Sequence, residues 1–164
     1  MGKINRVWGK FITIQMIIGT ALILFDVVIV NFSIFARYVF NYTQVELFEI
    51  TEYTLLWMTF LGTTWLLKNK GHVTVELIVS RVSPKRREKL MLIVNGISAL
   101  LMVILFIFSL KVFIYDFKTN YRLAGVLRPP KWPIEIIIPI GIFFMLLEIV
   151  RQLYEGIAEI KLKK

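Results

Sequence analysis

The stretch FITIQMIIGTALILFDVVIVNFSIFA, residues 11–36, runs between Lys10 and Arg37 and holds 26 residues with a single charge, Asp26. A helix needs roughly 20 predominantly apolar residues to cross about 30 Å of hydrocarbon, so this run predicts a membrane span. Residues 90–110 repeat the pattern with 21 uncharged residues. Two shorter runs follow the same logic. Residues 53–67 hold 15 uncharged residues and reach spanning length when the turn carrying Glu49 and Glu52 is included. Residues 136–147 hold 12, extended if Glu135 and Glu148 sit near the two interfaces. The expectation is an all-α membrane protein, one integral membrane domain over residues 1–164 with four transmembrane helices at about 11–36, 49–67, 89–112 and 133–152.

Composition leads to the same class. Of 164 residues, 57% are hydrophobic and 19% charged, with mean hydropathy +0.72. Soluble domains are about 45–50% apolar and about 25% charged, and a chain this short lacks the interior volume to hide the excess. The absence of cysteine excludes disulfides and thiolate metal sites. His72 is the only histidine, which excludes a two-histidine metal site within the chain. The net charge of +9 does not indicate nucleic acid, because the basic residues cluster between apolar runs, as in cytoplasmic loops. No Ser/His/Asp set, acidic metal cluster or phosphate loop is visible, so neither catalysis nor a cofactor is expected.

Lys and Arg counts set the expected orientation. The N-terminal segment, the 68–89 connection and the C-terminal segment together carry 14, and the opposite side carries 6. Both termini are therefore expected in the cytoplasm. Trp8, Trp65 and Tyr154 would mark the inner interface, and Tyr38, Tyr42, Tyr53, Tyr115, Tyr121 and Trp132 the outer one. The basic start before an apolar run resembles a signal peptide, but the run is too long and no small-residue cleavage site follows, which reads as an uncleaved anchor.

In the 68–89 connection, Val75, Ile78, Val79 and Val82 recur at helical spacing, while Val73, Val75, Leu77 and Val79 fit strand alternation. A lone strand would leave its backbone unpaired at the membrane surface, which favours a short interfacial helix. Ser83-Pro84 then fits an N-cap and first-turn proline opening the third span. Arg128-Pro129-Pro130-Lys131-Trp132-Pro133 predicts an extended connector, and Pro139 predicts a bend in the last span, where Gly141 permits close approach of a neighbour.

Few residues carry chemistry. Asp26 is an intramembrane carboxylate, costing about 2.5–3.5 kcal/mol on insertion scales. It is either a proton or cation site, or an acid hydrogen-bonded to another helix near Asn31 or Asn95. His72 reads as a loop cap or hydrogen-bond donor. Gly62, with Thr59, Thr63 and Thr64, forms a small-residue patch suited to helix packing. Antiparallel packing of the first two spans predicts an ion-paired layer of Arg37 with Glu49 and Glu52, which are i, i+3 on a helix.

In order along the chain, Arg37-Tyr38-Val39-Phe40-Asn41, Glu49-Ile50-Thr51-Glu52-Tyr53-Thr54-Leu55-Leu56-Trp57 and Phe60-Leu61-Gly62 resemble the small membrane subunit of tripartite ATP-independent periplasmic (TRAP) transporters, the DctQ-like family. His72-Val73-Thr74-Val75-Glu76, Lys131-Trp132-Pro133 and Ile138-Pro139-Ile140-Gly141 continue the resemblance. The family often shows Trp and paired acids ahead of the second span, where this chain has Gln44-Val45-Glu46-Leu47-Phe48-Glu49. The resemblance implies a bacterial inner-membrane subunit that braces a large sodium-driven permease. A periplasmic binding protein would deliver an organic acid to that assembly. It also makes Arg37, Glu49, Glu52, Trp57, Gly62, His72, Trp132, Pro139 and Gly141 candidates for structure or interface. The alternatives are a small proton-coupled exporter using Asp26, or the anchor subunit of a membrane enzyme.

Overall fold

The computed structural model describes residues 2–41, 44–69 and 84–162, and these are helical apart from short connections. Helix α1 spans Gly2–Phe40, α2 Val45–Lys68, α3 Pro84–Thr119, α4 Trp132–Glu135 and α5 Ile137–Leu162. The expected interfacial helix, His72 and Ser83 lie outside the described residues.

Among the described residues, three helical stretches are long and apolar enough to cross a membrane: Arg6–Phe40, Leu90–Thr119 and Trp132–Ala158. The 24 residues of α2 would extend about 36 Å, but its opening turns carry Glu46, Glu49 and Glu52.

The helices form a row rather than a closed bundle. Helix α1 packs on α2, α2 on α5 and α5 on α3, while the α3 backbone approaches neither α1 nor α2 among the described residues. The buried core follows this order. Ile12, Gly19 and Ala36 of α1 are buried, Gly19 against Leu61 of α2, and Leu61, Thr64 and Leu67 of α2 are buried in turn. Ile137, Ile142, Met145 and Ile149 of the central α5 complete it. Helix α3 leaves its apolar window unburied by the other described residues.

Two expected boundaries shift. Helix α3 continues past residue 112 to Thr119, where Asn120 (φ 47°) takes the left-handed conformation and Tyr121 N–H bonds Asp116 O at 3.3 Å. This is the Schellman arrangement, which satisfies a terminal carbonyl and lets Asn stand in for glycine. In place of the bend expected at Pro139, the helix is interrupted at Ile136, between α4 and α5, three residues before that proline. Proline has no N–H for the Glu135 carbonyl and its ring crowds that same group, so α4 must stop there. The connector is extended only through Pro129 and Pro130, because Pro133 sits in the first turn of α4, a position proline favours.

Candidate functional site

Polar side chains gather at three levels of the row. At the end that holds the start of α1, Glu148 of α5 is fully buried. Its carboxylate accepts from Trp8 Nε1 at 2.7 Å, Arg151 Nε at 3.0 Å, Arg151 Nη2 at 2.6 Å and Gln152 Nε2 at 3.2 Å. Gln152 Nε2 also reaches Leu67 O of α2 at 3.0 Å, and Arg151 Nη1 donates to Glu155 at 2.6 Å. A buried carboxylate is tolerated when charge and hydrogen bonds are both matched. Here they are, and the group joins α1, α2 and α5.

At the opposite end, the segment between α3 and α4 closes as a small hairpin. Leu123 N–H bonds Pro129 O at 3.1 Å, Lys131 N–H bonds Tyr121 O at 2.8 Å, and Arg122 bridges Pro130. Its tip captures Glu49 of α2, whose carboxylate accepts from Val126 N–H at 2.5 Å and Leu127 N–H at 3.0 Å. A Cβ on Gly125 would fall 2.6 Å from Glu49 Oε1, so the residue there must be glycine for the carboxylate to approach. Beside it, Lys131 Nζ pairs with Asp116 at 3.1 Å and Glu135 at 2.9 Å, with Asp116 buried. Hydrogen bonding to Glu135, and then to Asp116, holds the Lys131 ammonium above the ordinary lysine range. Trp57 Nε1 donates to Ile134 O at 3.1 Å, fixing α4 to α2, and Trp132 meets Phe117 edge-on at 5.3 Å.

Between the ends, the Thr54 hydroxyl donates to Asp26 across α1 and α2. The partner is thus neither Asn31, whose amide bonds Val27 O at 2.7 Å, nor Asn95. Asp26, Asn31, Thr51 and Glu52 share an otherwise apolar groove of roughly 420 Å³.

The expected layer of Arg37 with Glu49 and Glu52 does not form. Arg37 is exposed and makes no ion pair among the described residues, while Glu49 is bound to the hairpin. Helix register is the reason. Asp26 meets Thr54 and Gly19 meets Leu61, and the residue numbers sum to 80 in both pairs. That register carries Arg37 past the level of Glu49 by the rise of about six helical residues, or about 9 Å along the axis.

The small residues also divide. A Cβ on Gly141 would lie 2.7 Å from Phe60 Cβ, so α2 and α5 touch there, whereas one on Gly62 would meet nothing within 4 Å. Among the described residues no three His, Cys, Asp or Glu gather to hold a metal. The arrangement braces helices against one another. The Glu148 and Lys131 clusters were missed by sequence reasoning, although Glu148 and Arg151 at i, i+3 at the end of an apolar run were a usable signal.

The family model for tripartite ATP-independent periplasmic transporters, DctQ component, matches residues 26–159. No curated protein matches the chain.

Proposed function

Because the chain belongs to the DctQ-component family of tripartite ATP-independent periplasmic transporters, we propose that it is the small membrane subunit that braces the large permease during sodium-coupled uptake of an organic acid. A periplasmic binding protein delivers the acid, and the hairpin end of this subunit contributes surface to that encounter. The observation that carries this reading is the family match across most of the chain. The open row of helices supports it, since a row with apolar faces suits a wedge between a larger partner and lipid. A pore or carrier requires polar groups lining a passage.

In this reading α2 is the fourth span, its acidic opening turns held at the membrane edge by the hairpin. The distribution of basic residues supports a topology with both termini and the Trp8–Glu148 cluster on the cytoplasmic side of the inner membrane, and Glu49 with its hairpin on the periplasmic side.

The test is reconstitution in liposomes under a sodium gradient, with permease, binding protein and each candidate acid. Uptake is expected only when this chain is present with both partners. Uptake by this chain alone, or undiminished uptake without it, overturns the proposal.

A further inference from the structure

Arg6 and Lys10 stand one helical turn apart on α1, just before the apolar run. With Gly9, Thr13 and Ile14 they line one side of an open groove of about 510 Å³, and Lys68, the last residue of α2, lines the other. Such a volume falls within the range of small-molecule pockets. Gly9 shapes the groove: a Cβ there would lie 3.0 Å from Lys68 Nζ, so the missing side chain lets the ammonium rest over the α1 backbone toward Arg6 and Lys10. None of the three cations has a carboxylate partner among the described residues. Arg151, at the same end, is by contrast satisfied by Glu148 and Glu155.

Below the cations the wall turns apolar, with Ile14 and Ile17 more than half exposed on a helix long enough to span the membrane. A groove that is cationic at the headgroup level and apolar beneath matches one class of ligand. We propose that Arg6, Lys10 and Lys68 form a binding site for the phosphate of an anionic phospholipid, whose acyl chains lie along Ile14 and Ile17. Thr13 Oγ1 already donates to Gly9 O at 2.9 Å, so recognition rests on the three cations rather than on that hydroxyl. Lysine and arginine near a membrane surface favour anionic lipid, and basic pockets between spanning helices hold such headgroups. This site is independent of the transport reading.

The test titrates dihexanoyl phosphatidylglycerol into the full-length protein in neutral detergent and reads affinity from the rise in Tm. Dihexanoyl phosphatidylcholine and inorganic phosphate serve as comparisons. Wild type is expected to prefer phosphatidylglycerol. Each charge removed should weaken binding about fivefold, and Arg6→Gln, Lys10→Gln and Lys68→Gln together on the order of 100-fold. The single variants Arg6→Gln and Lys10→Gln, both at exposed positions, give the reading if the triple variant does not fold. Equal affinity for phosphatidylcholine, unchanged affinity in these variants, or the same stabilisation by inorganic phosphate alone overturns the proposal.

Discussion

The indole N–H of Trp8 donates to the Glu148 carboxylate at 2.7 Å, tying the first turns of α1 to α5 across 140 positions of sequence. Their helices do not otherwise pack backbone to backbone, because α2 lies between α5 and most of α1 in the row. The contact therefore closes one end of an open layer, and rings support it: Phe144 of α5 lies 4.8 Å from Phe11 and 6.1 Å from Trp8.

Trp8→Phe keeps the ring and removes the donor, and a hydrogen bond to a charged group contributes about 1.5–3 kcal/mol. That loss is expected in thermal or denaturant unfolding. Glu148→Ala leaves Arg151 with only Glu155 and should cost more, about 3–5 kcal/mol, as for one partner removed from a buried pair. A double-mutant cycle between the two should show coupling above about 1 kcal/mol. Additive losses would mean that Trp8 acts through packing alone.

At the other end, Glu49→Gln keeps the shape of the side chain but gives up the charge that draws two backbone N–H groups. Charge-assisted bonds are roughly twice as strong as neutral ones. Amide exchange at Val126 and Leu127 should speed up in Glu49→Gln and more so in Glu49→Ala, with Leu123 and Lys131, which bond within the hairpin, changing less. Unaltered exchange at Val126 and Leu127 would show that the hairpin holds itself.

Lys131 separates the carboxylates of Asp116 and Glu135, and its ammonium is held above the ordinary lysine value of 10.5. A group whose folded value is raised contributes stability fully below its unfolded value and loses it as pH rises through the folded one. Wild type should therefore lose stability above about pH 10.5 more steeply than Lys131→Met, which is weakened at every lower pH. Parallel pH profiles for the two proteins would remove Lys131 as the source.

What the sequence revealed and what it concealed differ in range. The apolar run at 11–36 lies within α1, and Pro133 and Pro139 explain the break at Ile136, because both signals act within a few residues. Pairing across helices is another matter. Arg37, Glu49 and Glu52 look matched when the chain is drawn as a hairpin, yet the register with Asp26 on Thr54 offsets Arg37 from Glu49 by about 9 Å. Glu49 is claimed instead by backbone 77 residues away. No periodicity marks such a partner.

Gly141 and Gly62 give opposite expectations despite equal prominence in the sequence. Gly141→Ala must displace the Phe60 ring and should cost about 1–3 kcal/mol, as overpacking does. Gly62→Ala meets open space and should be neutral or stabilising by up to about 1 kcal/mol through helix propensity. If Gly62→Leu also leaves the isolated protein folded but abolishes co-purification of the permease, the Thr59–Gly62–Thr63 face is where the partner sits. Intact co-purification would leave that face to lipid.

Asp26 separates a structural acid from a proton carrier. Its partner, the Thr54 hydroxyl, also lies 3.1 Å from the carbonyls of Ile50 and Thr51, so it keeps an acceptor when the carboxylate is gone. Asp26→Asn retains an oxygen facing Thr54 and removes only the ionisable group. Asp26→Leu removes both and should cost no more than about 1.5–3 kcal/mol, the net worth of one hydrogen bond to a charged group, since nothing is left stranded. Uptake by the assembled transporter is expected to stay within about twofold of wild type in Asp26→Asn, and any fall in Asp26→Leu should follow the yield of complex. A proton carrier would behave otherwise, because its chemistry needs the titrating oxygen and no isostere supplies one. Abolished uptake in a fully assembled Asp26→Asn complex would therefore move Asp26 from the brace to the coupling pathway.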